Sequence, residues 1–412
     1  MHAVLTMNSI NNPLVYDGHA YDAFVVIHNP DFNAGFSVLM TYALNGVRQA
    51  LARNWLPVIN FDNSCNTFFY DPERGENIWE YFWKPVMGVS YDDLLQKKAN
   101  GDIGSDQIKR FKDQQIFDWH TTDPDRIATF WLHEEPGDPT EWMRKHREIG
   151  RYYVANFITV RPEIIRKADA FARERFDGSF LFTVHIRGTD WSYAEPTNHE
   201  RYFDRIRQII ADQNLDKFQV FLATDQTQFV NIFQEEFGDR LVSYDSARGE
   251  SFIAPFKLRD VPPYKKGEDV LIDILLLAKG NHLLKCAASV GEYGAWFNPD
   301  IEITDFGVES KFIKKNHFLI STGFEKLGLL ESPLQEFFVA ISRRLTNYLE
   351  SVVFKFDQRA WAHPRIALAY GLRYLFSYLP RFFVKRFLKL LRVVLIKFPS
   401  RILRVCFQVK HD

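Results

Sequence analysis

The chain has 412 residues, which is enough for two to three domains of about 150 residues each. Hydrophobic residues make up 46% of it and charged residues 25%, proportions that exclude a disordered, collagen-like or disulfide-stapled protein. The net charge of −1 conceals an asymmetry, because residues 365–412 hold 11 bases and one acid, which leaves 40 bases and 51 acids in residues 1–364.

Cysteine usage and the N-terminus indicate the cellular setting. The three cysteines, Cys65, Cys286 and Cys406, have no metal-ligand spacing, which argues against a zinc site and favours a reducing compartment. Residues 1–12 lack the basic and apolar regions of a secretory signal. The sequence therefore predicts a protein that works in the cytoplasm.

The first half begins with an alternation of strand and helix patterns. A β-branched run at 22–28 predicts a strand, residues 35–53 a helix and residues 57–61 a second strand. This β-α-β order predicts a parallel sheet with a ligand site at the carboxyl ends of its strands. We expect the aromatic-rich residues 71–88 to form an ordered loop region and the more polar residues 99–123 to form a variable surface insert.

Asp123-Pro124-Asp125 has the spacing of a metal-binding D-x-D motif. A helix start is the better interpretation, because aspartate is a common N-cap residue and proline is favoured at the first helical position. We therefore predict that Asp123 caps a helix beginning at Pro124, and we predict no metal site. Residues 144–176 then form a mostly helical stretch with a break at Pro162.

A second alternation of strands and helices begins at Ser179 and predicts another Rossmann-like domain. Its predicted strands are 180–186, 218–223, 241–243 and 282–286, and its predicted helices are 200–212, 226–237, 269–278 and one from about 290. The predicted fold class is α/β, with Rossmann-like domains at 1–175 and 176–325 and a helical C-terminal region at 326–412.

The strand at 180–186 leads into a polar motif, His185-Ile186-Arg187-Gly188-Thr189-Asp190. His185 and Arg187 are two residues apart, so they point to the same face of a strand. The permanently charged, fork-shaped guanidinium of Arg187 suits a diphosphate at the strand end. Alternatively, Arg187 pairs with Asp190 and only tightens the turn.

Three further polar residues lie close to predicted strand ends or helix starts. Asp225 follows the strand at 218–223, Asp273 lies in the largely apolar helix at 269–278, and Ser289 is near a helix start that could hold a phosphate. Each also has a plainer interpretation, since aspartate and serine are common helix caps and Asp273 could face solvent. The residues alone leave these alternatives open.

Three segments of the second half form one pattern: H-x-R-x-T-D at 185–190, A-T-D at 223–225, and D-I-L-L-L at 273–277 with a serine, Ser289, sixteen residues after the aspartate. This pattern resembles the GDP-fucose-dependent fucosyltransferase superfamily. It is most similar to the α-1,6 branch, with some protein O-fucosyltransferase character. The resemblance covers residues 22–300 and implies a GT-B-like fold, in which two Rossmann-like domains face a cleft.

The resemblance also implies donor-binding roles, with GDP-fucose as the donor substrate. The implied contacts are His185 and Asp273 with the guanosine, Arg187 with the β-phosphate, Ser289 with the phosphates, and Asp190 and Asp225 as further donor-site residues, Asp225 in a supporting role. No prosthetic group and no metal are implied.

The acceptor side of the motif combines one match with two departures from the family pattern. Glu195 stands five residues after Asp190, where the resemblance implies the general base that activates the acceptor hydroxyl. The family's second arginine is Gly188 here, so one phosphate contact is missing or comes from elsewhere. The family's lysine after the motif aspartate is Trp191, whose ring offers a stacking face for a sugar.

The expected reaction is an inverting, metal-independent transfer of fucose to a glycan or lipid-linked saccharide. A preorganised arginine stabilises the charge of a leaving diphosphate, which a divalent ion does in D-x-D enzymes. Two alternatives stay open: a transferase that uses another nucleotide sugar, and a catalytically inactive, membrane-associated sugar-binding protein.

The basic C-terminal stretch has the pattern of a helix that lies on a membrane. Residues 381–396 place five bases at helical spacing and phenylalanines and leucines on or near the other face, and their longest apolar run is far shorter than the roughly 20 residues of a membrane span. This composition favours association with an anionic membrane surface, on the cytoplasmic side, over packing on the acidic body or binding nucleic acid.

Overall fold

The computed structural model describes most of the chain up to residue 309. The described residues are 14–30, 34–64, 67–111, 116, 123–131, 137–188, 198–249 and 254–309. The C-terminal region predicted at 326–412, including its amphipathic helix, therefore lies outside the described residues. Within the described residues, no helix is long and apolar enough to cross a membrane.

The N-terminal elements form a small hairpin and a parallel sheet. They are β1 (Leu14–Tyr16), β2 (His19–Tyr21), β3 (Ala23–His28), α1 (Phe36–Leu51), β4 (Trp55–Asn60) and β5 (Ile108–Arg110). β1 and β2 pair in antiparallel orientation, whereas the sheet has the order β4-β3-β5 with parallel neighbours. β3 is apolar and buried along almost its whole length, as expected of a parallel strand that is covered on both faces.

The connection between β4 and β5 differs from the sequence prediction. The aromatic-rich residues 71–88 contain a helix, α2 (Ile78–Phe82), and Phe82 packs edge-on against Phe36 with 4.8 Å between ring centroids. A second helix, α3 (Tyr91–Ala99), begins at a capping box. Residues 99–123 were predicted to form a surface insert, but they contain β5, a strand of the first sheet. Its three residues are too few to show the alternating or apolar pattern by which a strand is recognised in a sequence.

Two long helices confirm the helical prediction for 144–176. They are α4 (Pro139–Phe157) and α5 (Pro162–Arg175). α4 begins five residues earlier than predicted, because the Asp138 carboxylate accepts a hydrogen bond from the backbone of Glu141 and caps the helix. The predicted break at Pro162 is also confirmed, with proline at the start of α5.

The second sheet has five parallel strands in the order β10-β9-β6-β7-β8. Its strands are β6 (Phe180–Ile186), β7 (Phe218–Thr224), β8 (Leu241–Val242), β9 (His282–Lys285) and β10 (Glu302–Asp305), and its helices are α6 (His199–Gln213), α7 (Thr227–Phe237), α8 (Pro263–Leu277) and α9 (Ser289–Phe297). In chain order this is the 3-2-1-4-5 arrangement of a Rossmann-like sheet. The sequence missed β10 and placed the start of α8 six residues too late.

The two sheets belong to one unit of the chain, Met1–Lys314. Helices α4 and α5 pack against α9 and α8 of the second sheet. The approach of α4 is close, because a Cβ on Gly150 would lie 2.1 Å from the Trp296 ring. The α/β class with parallel sheets is thus confirmed, whereas the division near residue 175 and a cleft between two domains stay predictions.

Candidate functional site

The order of the second sheet places a topological switch point between β6 and β9. In parallel sheets of this type, ligands bind outside the carboxyl ends of the strands at such a point. β6 ends at Ile186 and continues into Arg187-Gly188, while β9 ends at Lys285 and continues into Cys286. Residues 185–188, the described part of the motif that the sequence singled out, therefore lie at the expected ligand-binding edge.

His185 is the buried member of the motif, with 6% of its surface exposed. Its Nδ1 lies 3.8 Å from the Cys286 Sγ. Burial, together with the positive charges of Arg187 and Lys285, lowers the pKa of His185 to about 3. The imidazole is therefore neutral across the physiological range, and it can give or accept a hydrogen bond without adding charge.

The loop after β6 is held by the next strand of the sheet. The backbone N–H of Gly188 donates to the Asp225 Oδ1 at 2.8 Å. The plainer interpretation of Asp225 as a helix cap is wrong, because Gln226 is the N-cap residue of α7. Asp225 instead fixes the backbone next to Arg187, a half-buried residue, at the ligand-binding edge.

A segment after β8, residues 243–249, joins this edge to α8. Three hydrogen bonds hold it, each of 2.9 Å: from Ser246 Oγ to Asp273 Oδ2, from the Ala247 N–H to Asp269 Oδ2, and from the Gly249 N–H to the Asp225 carbonyl oxygen. Sequence reasoning missed the 243–249 segment, because it has no regular pattern and its partners are distant in the chain. Its run of serine, glycine and charged residues after a short strand was the only signal.

Asp273 lies in the interior with 7% of its surface exposed, so the solvent-facing alternative is wrong. Burial raises the pKa of its carboxyl group to about 7, against the lowering effects of the Ser246 hydrogen bond and the Arg248 charge. Its Oδ2 accepts the Ser246 bond, whereas its Oδ1 has no hydrogen-bond partner among the described residues. A buried acceptor of this kind is costly unless a ligand donates to it.

Ser289 is the first residue of α9, and Ala288 is the N-cap residue, so the helix-cap alternative for Ser289 is wrong. The Ser289 hydroxyl lies 2.8 Å from the Thr129 hydroxyl. Gly291 lets α9 approach the strand ends, since a Cβ there would lie 3.1 Å from the His185 Nδ1. The start of α9 thus lies against the same edge as His185, and Thr129 is a neighbour that the sequence did not reveal.

A buried ion cluster of Arg147, Lys285, Glu292 and Asp305 lies behind the strand ends. Its ion pairs are Arg147 Nε–Glu292 Oε1 (2.8 Å), Arg147 Nη2–Asp305 Oδ2 (2.9 Å), Lys285 Nζ–Glu292 Oε2 (3.1 Å) and Lys285 Nζ–Asp305 Oδ2 (2.8 Å). Burial opposes the charge of Lys285, but the two carboxylates outweigh it and raise its pKa. The cluster joins α4, β9, α9 and β10. A lysine in the apolar strand HLLK was the available sequence signal.

Asp123 and Asp125 are each paired with a basic side chain. Asp123 pairs with Arg48, and Lys145 Nζ lies 2.9 Å from the Asp125 carboxylate. The prediction of a helix from Pro124 is wrong, because residues 123–131 contain a turn there and Asp123 accepts the Asp125 N–H bond within it. No group of three or more potential metal-ligating side chains occurs in the described part of the chain.

The second part of the motif lies outside the described residues. Asp190, Trp191 and Glu195 belong to the stretch 189–197, between Gly188 and Asn198. The roles that the resemblance implies for these three residues stay predictions. His185, Arg187, Asp225, Asp273 and Ser289 are the predicted residues that the structure places around the carboxyl edge of the second sheet.

Of the three comparisons with known proteins, only the search of solved structures found similar proteins. No protein-family model matches the chain, and no curated protein does. The fucosyltransferase NodZ from Bradyrhizobium is 19% identical, with 71% of this chain and 99% of that chain covered and a TM-score of 0.42. POFUT1 in complex with GDP is 11% identical, with 69% and 98% covered and a TM-score of 0.40.

Proposed function

We propose that this chain is a glycosyltransferase that moves fucose from GDP-fucose to a hydroxyl group of a glycan or lipid-linked saccharide. The observation that carries the proposal is the buried Oδ1 of Asp273 at the ligand-binding edge of a Rossmann-like sheet, an atom with no hydrogen-bond partner among the described residues. The 243–249 segment connects that carboxylate to Asp225, and Asp225 holds the backbone next to Arg187. One edge therefore offers an acceptor for a base and a cation for a diphosphate.

The Asp273 carboxylate favours guanine over the other bases. A carboxylate only accepts hydrogen bonds, and guanine presents two adjacent donors, its N1–H and its 2-amino group, on one edge. Uracil presents a single N–H between two carbonyl groups, which a carboxylate repels. His185, which is neutral and lies at the end of β6, can contact the nucleoside without competing for the carboxylate.

Arg187 and the start of α9 support the diphosphate assignment. Cleavage of the sugar–phosphate bond leaves negative charge on GDP, and a fixed guanidinium stabilises that charge without reorganisation. The N-terminus of α9 carries backbone donors that favour an anion.

The reaction should therefore need no divalent cation. We expect transfer activity to persist in excess EDTA, because Arg187 supplies the charge and Asp123 and Asp125 are paired with basic side chains. Complete loss of activity that Mg²⁺ or Mn²⁺ restores would contradict this part of the proposal.

The acceptor assignment rests on the motif resemblance. In the proposed reaction Glu195 accepts the proton of the acceptor hydroxyl late in a single displacement, which inverts the anomeric carbon. Trp191 provides an aromatic face for the acceptor sugar. The basic residues 381–396 hold the enzyme on the cytoplasmic side of an anionic membrane, next to a lipid-linked or cell-surface acceptor.

A nucleotide screen tests the proposal directly. Thermal unfolding of the full chain is measured with GDP, UDP, ADP and CDP at equal concentrations. A ligand that binds only the folded protein raises its stability by about 2.7 kcal/mol at a hundred times its dissociation constant. GDP should give the largest shift in melting temperature. A second assay then measures the release of GDP from GDP-fucose in the presence of a saccharide acceptor. A preference for UDP would favour the alternative of another nucleotide sugar.

A further inference from the structure

The guanidinium of Arg248 is fixed by the segment that contains it. Its Nη2 donates to the Ser243 hydroxyl at 2.6 Å and to the Tyr244 carbonyl oxygen at 2.5 Å, and its Nη1 donates to the Ser246 carbonyl oxygen at 3.2 Å. The third nitrogen, Nε, is buried and has no hydrogen-bond acceptor among the described residues. Because the guanidinium is planar and its other nitrogens are held, the direction of the Nε–H bond is fixed as well.

Ser246 places this donor beside Asp273. The Ser246 carbonyl oxygen accepts from Arg248, while the Ser246 hydroxyl donates to the Asp273 Oδ2 at 2.9 Å. Burial raises the pKa of Asp273, and the positive charge of Arg248 is near enough to oppose that rise.

Two buried atoms of opposite hydrogen-bonding character therefore lie in the same neighbourhood. The Arg248 Nε is a donor and the Asp273 Oδ1 is an acceptor, and neither bonds the other or any other described residue. Buried polar groups in native proteins are nearly always hydrogen-bonded. A ligand edge that offers an acceptor next to a donor would satisfy both atoms at once.

We propose that Arg248 is a specificity-determining residue of the donor site, where its Nε–H group donates to the O6 oxygen of guanine while Asp273 accepts from the N1–H group of the same base. This inference rests on the proposed function, and it adds a residue that the motif resemblance does not contain. O6 and N1–H are neighbours on guanine, an acceptor beside a donor, which complements the Arg248–Asp273 pair. Adenine and cytosine present an amino donor at the corresponding position, so the Arg248 donor would meet a second donor there.

The test is the substitution Arg248→Lys, which keeps the positive charge and removes the Nε donor. Affinities of the full chain for GDP, IDP and 6-thio-GDP are measured by calorimetry at about pH 7.5, where more than half of the Asp273 carboxyl groups are ionised. The sulfur of 6-thio-GDP is a weak acceptor in place of O6, so the unmodified chain should bind it at least about tenfold more weakly than GDP. In Arg248→Lys that preference should shrink to less than about threefold, because GDP loses the contact that 6-thio-GDP lacks already.

IDP separates this contact from the one at the 2-amino group. It keeps O6 and N1–H and lacks only the 2-amino group of guanine, so Arg248→Lys should lower the IDP and GDP affinities by the same factor. Arg240→Lys is the matched control, since Arg240 is exposed and precedes β8, at the opposite end of that strand from the 243–249 segment. It should change none of the three affinities by more than about twofold.

Equal losses of GDP and 6-thio-GDP affinity in Arg248→Lys would overturn the contact and leave Arg248 as a support of the 243–249 segment. If the variant lacks a cooperative thermal transition, the unmodified chain decides: equal affinities for GDP and 6-thio-GDP overturn the contact, and the expected preference for GDP supports it. Absence of GDP binding by the unmodified chain would overturn the proposed function itself, whereas GDP binding that is insensitive to the O6 atom would overturn only the role of Arg248.

Discussion

The carboxyl edges of the two parallel sheets are built from different chemistry. At the first sheet, the Asn29 amide donates to the Asp62 carbonyl oxygen at 2.6 Å, and the Asn77 amide donates to the Ile59 carbonyl oxygen at 2.9 Å. His28 is kept neutral there, because burial and the nearby Arg110 charge lower its pKa. The two amides complete hydrogen bonds of nearby backbone, whereas the buried Nε2 of the His28 ring has no hydrogen-bond partner among the described residues.

The second edge keeps charged groups in the interior, together with a carboxylate oxygen for which the described residues provide no hydrogen-bond donor. The buried ion cluster lies behind it, Arg187 lies on it, and Asp273 is buried with one oxygen that no described residue reaches. A buried acceptor that is not hydrogen-bonded costs stability in the free protein, and a ligand that donates to Asp273 would offset that cost. The proposed donor site is placed at the second sheet because of this contrast, and each prediction below tests one part of it.

Glu292→Gln should have the largest effect, on stability. Burial opposes the ionisation of Glu292, but the charges of Lys285 and Arg147 outweigh it and lower its pKa. The amide would leave both cations with too little compensating charge, and breaking a buried pair typically costs about 3–5 kcal/mol. Urea unfolding at pH 7 measures this loss.

The pH dependence sharpens the same prediction. Because the folded pKa of Glu292 is lowered, its contribution is present at neutral pH and is lost as the pH falls through that pKa. The difference between the original chain and Glu292→Gln should therefore shrink below about pH 4. A variant as stable as the original at pH 7 would mean that the cluster contributes nothing.

Arg187→Ala should have the next largest effect, on turnover. The leaving diphosphate would lose its cation, and loss of one such stabilising group costs about 10²–10³ in rate. Fucose transfer at saturating donor measures the effect, and thermal unfolding checks the fold. Arg173→Ala, on the exposed face of α5, is the charge-matched control and should leave the rate unchanged.

The first edge provides the counterpart of that experiment. Asn29→Ala removes a buried amide at the first sheet, so it should lower stability while GDP affinity stays unchanged. If it weakened GDP binding as strongly as Arg187→Ala, the assignment of the donor to the second sheet alone would be wrong.

Much of this contrast could be predicted from the sequence, because parallel strands have a strong local signature. The run Phe180–Ile186 is mostly apolar, and the bounds predicted for it agree with the strand in the structure. The residues of β10, by contrast, form only a four-residue strand in which three are half-buried. Such short edge strands are defined by their partner, here β9, rather than by their own pattern.

Tertiary contacts explain what the sequence did not reveal. α8 begins with two lysines and a glycine, which obscured its first turns, yet Gly267 is required because a Cβ there would lie 2.4 Å from the Phe82 ring. The pairing of Ser246 with Asp273 joins residues 27 positions apart in the chain, and that of Arg147 with Glu292 joins residues 145 apart. The spacing of residues within one helix or strand does not predict contacts between residues so far apart in the chain.

Asp273→Asn should have the smallest of these effects and the most specific one. It removes the charged acceptor for guanine, and since a hydrogen bond to a charged group contributes about 1.5–3 kcal/mol, GDP affinity should fall about ten- to a hundredfold. In the original chain burial raises the carboxyl pKa to about 7, so binding of the guanine donors requires loss of a proton. GDP affinity should therefore decrease as the pH falls below about 7.

The stability of the free protein should respond in the opposite sense. A raised carboxyl pKa contributes stability at low pH that is lost as the pH rises to about 7, so Asp273→Asn should raise the melting temperature at pH 8 and change it little at pH 4. Calorimetric titration of GDP between pH 5.5 and 8.5, in roughly half-unit steps, and melting curves of both chains measure the two effects together. A variant that lost stability at pH 8 as well as GDP affinity would show that Asp273 serves the fold, and the second edge would then resemble the first.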